Sequence, residues 1–264
     1  MGKRPFSRKN CNIFCNLVAF LGLGAPALQS FPGNDTIKPV KITAAGRFSG
    51  RKKNNMSMNT VPERLAALRE AMAANGVAVY LIPVGDPHAS EYLPYHYTSL
   101  TYFSGFHGEN SNFVVTRTES ALWADGRYFV QAEKEIAGTE IQLMRMGEPG
   151  VPTAEEYCGK VLPEGGTLGL CGLTANCALV NNLKKELEPK HGSIKTLFLE
   201  DELWVEGRPA RPATPAWILP KEYAGFSPAE KLEQLRAKLK EQGCTAQLVG
   251  KLDNLAWLLN LRAM

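Results

Sequence analysis

The sequence predicts an α/β fold: a β-sheet flanked by helices over about residues 59–207, then the beginning of a second, similar α/β domain. Three observations predict it. A capped amphipathic helix leads directly into an apolar strand, the signature of helix packed on sheet. Further strand-length apolar runs then alternate with helical patterns. The opening helix pattern also returns 167 positions later, which suggests a duplicated unit.

Taken in order, Thr60 and Glu63 have capping-box spacing, with Pro62 in the first turn where its missing N–H does no harm. Val61, Leu65, Leu68 and Met72 follow at helical spacing, and Asn75-Gly76 ends the helix. Val77–Ile82 reads as a buried strand stopped by Pro83. Leu100–Phe103 is short and apolar, and residues 104–108 form a turn. Asn112–Thr116 and Ala121–Trp123 read as a hairpin. A helix then runs through Lys134 and Ile136, Glu140–Met146 alternates as a strand, and Thr153 opens another helix. Thr167–Leu170 is a strand, Leu179–Leu187 a helix, and Ile194–Leu199 a strand carrying Lys195. Residues 208–224 are the linker, where the prolines of Arg208–Pro220 forbid a continuous helix. Ser227, Pro228 and Glu230 repeat the first cap; Glu63, Arg64, Leu65, Leu68, Arg69, Gly76, Leu81 and Asp86 recur as Glu230, Lys231, Leu232, Leu235, Arg236, Gly243, Leu248 and Asp253. A similar look shared by any capped helix, glycine and strand is the plain alternative. On the duplication reading only about 40 residues remain for the second copy, so it is incomplete and leaves Leu232, Leu235, Leu239 and Trp257 uncovered.

Charge is divided unevenly. The net +4 conceals ten Lys/Arg against one acid, Asp35, in residues 1–60, leaving 20 basic and 25 acidic residues for the remainder. The body lacks the cation excess that nucleic acid demands. No run of 18 apolar residues suits a membrane span. Residues 1–58 form a leader expected to be disordered, open to three readings. Lys3, Arg4, Arg8 and Lys9 before the apolar Leu17–Ala25 and Ala25-Pro26-Ala27 outline a secretory signal, and the acid-poor Lys38–Asn55 outlines a transit segment. Translation starting at Met56 or Met58 is the third. Six scattered cysteines without a CxxC pair read as free buried thiols in a reducing, cytoplasmic setting, with an organelle or secretion as the alternative if the leader is genuine. The four histidines show no metal-ligand spacing.

The stretch Leu122–Ala132 carries the candidate site residue. An Asp125-Gly126 turn, which tolerates positive φ, delivers Arg127 ahead of Tyr128 and Phe129. An arginine so fixed can offer its planar fork to a carboxylate or carbonyl, or merely close its loop through an acidic partner. Asp86, His88, Ser90, Glu91 and Tyr92 crowd one loop, but catalytic triads gather from separate elements, so loop capping by Asp86 and packing of His88 are the expected roles.

Leu122–Ala132, Asp86–Tyr92, Ser104-Gly105-Phe106 and Asp253–Arg262, four motifs in order, resemble the amino-terminal part of the aminopeptidase P family, the Xaa-Pro aminopeptidases of the creatinase superfamily. The resemblance covers about residues 59–262 and implies a creatinase-like domain with a mixed β-sheet flanked by helices, followed by a second. It implies a homo-oligomeric metallopeptidase whose catalytic domain, holding two Mn2+, removes the residue before proline in peptide substrates. None of those metal ligands has a counterpart here, so this chain is expected to hold no cofactor and no catalytic residue. What transfers is Arg127 as a substrate contact; Asp86, His88, Ser90 and Glu91 match a structural loop. Two departures stand out. Residues 107–111 read His-Gly-Glu-Asn-Ser in place of the family's small Gly-Ser-Ala-Gly run, and the sequence stops at Ala263-Met264 where the family continues, as a truncation would. The expected role is therefore the non-catalytic portion of such an enzyme, shaping the substrate entrance and associating subunits. A stand-alone binding or regulatory module is the alternative, and a hydrolase built on His88 and Ser90 the third.

Overall fold

The structure, a computed structural model, describes residues 60–263. The leader readings, with Cys11 and Cys15, lie outside the described residues. Helix α1 (Val61–Ala74) starts at the predicted capping box: the Thr60 hydroxyl accepts from the Glu63 N–H, and the Glu63 carboxylate accepts from the Thr60 N–H at 3.0 Å. Strand β1 (Val79–Pro83), the short α2 (Ser99–Ser104), β2 (Asn112–Thr116), β3 (Ser120–Ala124) and α3 (Phe129–Glu135) follow. After them come β4 (Ile141–Arg145), α4 (Ala154–Val161), β5 (Thr167–Leu170), α5 (Cys177–Leu187), β6 (Ser193–Thr196) and α6 (Leu199–Leu203).

The six strands form one mixed sheet in the order β4-β3-β2-β1-β5-β6. β2 is antiparallel to both neighbours, and every other pairing is parallel. Five strands therefore point their carboxyl ends to the same edge, where β2 begins. Side-chain alternation splits the core across the two faces. Tyr80, Ile82, Phe113, Val115, Leu122 and Ala124 pack with Leu65, Leu68 and Met72 of α1 and with Phe103 and Leu199. Val79, Leu81, Val114, Ala121 and Trp123 pack with Tyr157 and Cys158 of α4 and with Leu183 and Leu187 of α5. With both faces covered, β1 and β3 are buried along their whole length.

The sequence reading needs four corrections here. Gly126 does not adopt positive φ, and the Tyr128 N–H closes a turn on the Asp125 carbonyl at 2.9 Å. The last strand stops at Thr196 rather than Leu199, because Glu200, Asp201 and Glu202 favour the first turn of a helix there. Cys158 and Cys171 are buried, whereas Cys177 and Cys244 are exposed. Residues 208–220 include a paired strand, β7 (Trp217–Ile218), antiparallel to β8 (Leu261–Arg262).

Helices α7 (Lys221–Ala224), α8 (Pro228–Glu241) and α9 (Leu252–Leu259) complete the described chain. α8 copies α1 at the 167-residue offset in length and capping box, with its proline in the first turn one position earlier, and Gly76 and Gly243 follow at φ 69° and 67°. The copy ends there. Leu248, the counterpart of β1 residue Leu81, lies in no strand, since a strand needs pairing neighbours and residues 244–250 have none among the described residues. Trp257 is 58% exposed, while Leu232, Leu235 and Leu239 are half-buried.

Candidate functional site

The carboxyl edge of a parallel sheet is where loops gather and ligands bind in α/β folds. Four segments meet at that edge: residues 84–91 after β1, 109–110 before β2, Arg127 after β3, and 173–176 after β5. They enclose a cleft of about 450 Å³.

Asp86 sits at its base, buried, and its carboxylate Oδ1 accepts from the N–H groups of His88 at 2.9 Å and Ser90 at 3.0 Å. It is the predicted loop cap. Ser90 and Glu91 line the cleft with it, but His88 does not, so the loop brings no histidine to Ser90 across this space. Tyr92 faces a neighbouring hollow.

Arg127 is 64% exposed on the rim. Asp125 holds it: Arg127 Nη2 donates to Oδ2 at 2.6 Å, Nε to both oxygens at 3.1 and 3.2 Å, and the Arg127 N–H to Oδ1 at 2.9 Å. The guanidinium also lies 5.2 Å from the Tyr128 ring centre. Arg127 thus makes the loop-closing ion pair and lines the cleft at once. The hydrogen bond from its side chain holds the Asp125 carboxyl down at about 2, helped by Asn110, whose Nδ2 donates to Oδ2 at 3.2 Å. Nη1 makes no hydrogen bond among the described residues, so one donor edge remains for an incoming oxygen.

A creatinase/prolidase N-terminal domain model matches residues 64–200, half of the chain, and a second model of the same description matches residues 207–264. The chain belongs to the creatinase/prolidase N-terminal domain family. Aminopeptidase P2 of Arabidopsis thaliana is 39% identical over 207 residues, covering 76% of this chain and 29% of that protein. A probable Xaa-Pro aminopeptidase P of Sordaria macrospora is 39% identical over 210 residues, covering 78% and 34%. Among solved structures, the X-prolyl aminopeptidase of Caenorhabditis elegans, described as a cytosolic enzyme with a di-nuclear active site, matches with a TM-score of 0.68 at 33% identity, over 77% of this chain and 35% of that one. The chain therefore spans about a third of the length of the relatives it matches.

The metal implied by the family does not fit these residues. No three His, Cys, Asp or Glu among the described residues converge on a point that could hold an ion. Among the described residues this creatinase-type domain offers a cleft and an arginine on its rim. Nor is any helix of the described residues long and apolar enough to cross a membrane.

The loop that departs from the family pattern is accommodated by Gly108. A Cβ there would lie 2.1 Å from the Phe106 ring, which is fully buried, and 3.0 Å from Tyr128. Glu109 turns outward to the cleft and accepts from the Tyr128 hydroxyl at 3.4 Å. Sequence reasoning did not place Glu109, Asn110 or residues 173–176 in the site. The available signal was Asn176, the N-cap of α5, whose Oδ1 accepts from the Leu179 N–H at 2.9 Å and which marks the carboxyl end of β5.

Proposed function

We propose that this chain is the substrate-facing, non-catalytic portion of a cytoplasmic Xaa-Pro aminopeptidase, its cleft walling the approach of a peptide with proline second. The observation that carries the reading is Arg127, fixed by Asp125 at the mouth of a 450 Å³ cleft with Nη1 free of partners among the described residues. A guanidinium edge so held can donate to a peptide carbonyl or carboxylate. The relatives' printed names support the substrate class. Hydrolysis, with two Mn2+ ions, is assigned to the remainder of the longer enzyme. Subunit association is assigned to the exposed Ile218, Tyr223 and Trp257 surface.

The test is an assay of the 264-residue chain with added Mn2+ and a fluorescent peptide whose second residue is proline. No amino acid should be released. The peptide should still bind, and Arg127→Ala should weaken binding about tenfold, the size of one lost charge-assisted contact. Release above the buffer rate, or binding indifferent to Arg127→Ala, would sink the reading. A stand-alone binding module is favoured by one observation: among the described residues no buried side-chain polar atom lacks a partner. Native protein that ends at Met264 in its source cells would decide for it.

A further inference from the structure

The Arg127 cleft continues into a second hollow of about 400 Å³, with Glu91 and Glu109 lining both. The second hollow is walled by Tyr92, Tyr95 and Tyr97. Tyr92 and Tyr95 are 78% and 79% exposed, the most exposed large apolar side chains among the described residues. They are not loose. Tyr95–Tyr97 form a 3-10 turn after Pro94, with the Tyr97 N–H on the Pro94 carbonyl at 2.9 Å. His96, between them, is tied down from behind: its Nδ1 donates to the Pro209 carbonyl at 2.8 Å, and its own carbonyl accepts from Arg208 Nε at 3.1 Å. An exposed aromatic face held by the backbone costs little entropy when a ligand covers it.

The charges along this trough are ordered. A guanidinium stands at one end, two carboxylates in the middle, and tyrosine rings at the other end. Glu109 accepts from the Tyr128 hydroxyl at 3.4 Å and lies within electrostatic reach of the Arg127 guanidinium, while Glu91 forms no ion pair among the described residues. Two carboxylates lining one trough, one of them without an ion-pair partner among the described residues, beside aromatic faces, suit a guanidinium or ammonium on an aliphatic stem.

We propose that this trough binds an extended peptide through a cationic side chain. The charged head sits between Glu91 and Glu109, the stem lies across Tyr92 and Tyr95, and the peptide backbone passes the Arg127 edge. This rests on the reading of the Arg127 cleft as peptide-facing, and adds a preference for Lys or Arg in the bound segment.

The test compares two labelled peptides by fluorescence anisotropy with the 264-residue chain. Both have proline second; one carries arginine further along, the other its neutral isostere citrulline at the same position. The arginine peptide should bind about five- to tenfold more tightly at low salt, and the margin should shrink as salt screens the pair. In the Glu91→Gln/Glu109→Gln variant the margin should vanish, the arginine and citrulline peptides binding alike; Arg127→Ala should weaken both peptides and leave the margin in place. Equal affinities for the unmodified chain overturn the trough and leave the Arg127 reading standing. A margin that survives Glu91→Gln/Glu109→Gln places the cation elsewhere and also overturns it. Failure of both peptides to bind overturns the cleft reading itself. Circular dichroism of the double variant, expected to match the unmodified chain, separates lost recognition from lost fold.

Discussion

Replacing Glu200 by glutamine is expected to flatten the pH dependence of stability between pH 4.5 and 7 by about 3 kcal/mol. Glu200 is 3% exposed, in the first turn of α6 against the sheet. Burial raises its carboxyl to about 7, with Asp201 adding to the rise; the Tyr80 hydroxyl, donating to Oε2 at 2.7 Å, and Arg208 oppose it. A carboxyl raised in the fold is bound more tightly to its proton there than in the unfolded chain. Its contribution is therefore complete below about pH 4.5, falls as pH rises, and levels off above about 7. Glutamine keeps an oxygen for the Tyr80 hydroxyl and has no proton to lose. Urea denaturation at pH 5, 6, 7 and 8 reads the difference between the two proteins, which isolates Glu200 from every other titrating group. Parallel pH curves for the two would show that Glu200 is not buried as described. Tyr80 reports the same burial from the other side: desolvation pushes its phenol well above the ordinary range, so it stays a donor throughout this window.

Trp123→Ala should cost about 4 kcal/mol, among the larger penalties a single core substitution brings. Trp123 is the largest fully buried side chain among the described residues, edge-on to Tyr157 with ring centres 5.1 Å apart. Its Nε1 donates to the Pro152 carbonyl at 2.7 Å, so truncation leaves both a cavity and an unpaired acceptor. For about 200 folded residues this corresponds to a fall in Tm of about 10 °C. Trp123→Phe fills most of the cavity and should cost about half as much. Peptide binding by Trp123→Ala should weaken even where the variant remains folded, because Trp123 anchors the end of β3 from which Asp125 and Arg127 project. A melting point within 2 °C of the unmodified protein would show that the cavity has collapsed without cost.

Much of the fold was legible because its determinants are local. Thr60 with Glu63, Thr153 at the start of α4, and Ser227 with Glu230 announce helices through contacts three residues apart. The apolar runs Asn112–Thr116 and Ala121–Trp123, joined by a short polar turn, announce a hairpin in the same way. Arg127 and the Asp86 loop could be singled out by the same short-range chemistry, and the family resemblance named the first as the residue to watch. The segments that complete the cleft were not legible. Residues 109–110 and 173–176 become neighbours of Arg127 only through a strand order that no local pattern encodes.

The repeat shows the division most clearly. At the 167-residue offset Arg64 becomes Lys231, and in the structure each cation does the same work. Arg64 Nη1 donates to the Tyr102 carbonyl at 2.7 Å and lies 4.2 Å from that ring; Lys231 Nζ donates to the Trp257 carbonyl at 2.7 Å and lies 4.4 Å from that ring. Tyr102 and Trp257 are 155 positions apart, as are Gly105 and Asn260, the left-handed residues that cap α2 and α9. The intervening segment is twelve residues shorter in the second copy, so a constant offset cannot connect them. By itself the sequence determined the helices, the turns, the family and the identity of the exposed arginine, because capping, periodicity and motif order act over a few residues. Only the tertiary structure decided which strands are neighbours, which loops share the cleft, and that α1 and α8 clamp equivalent aromatic partners, because those depend on side chains meeting across distances along the chain that no local pattern spans.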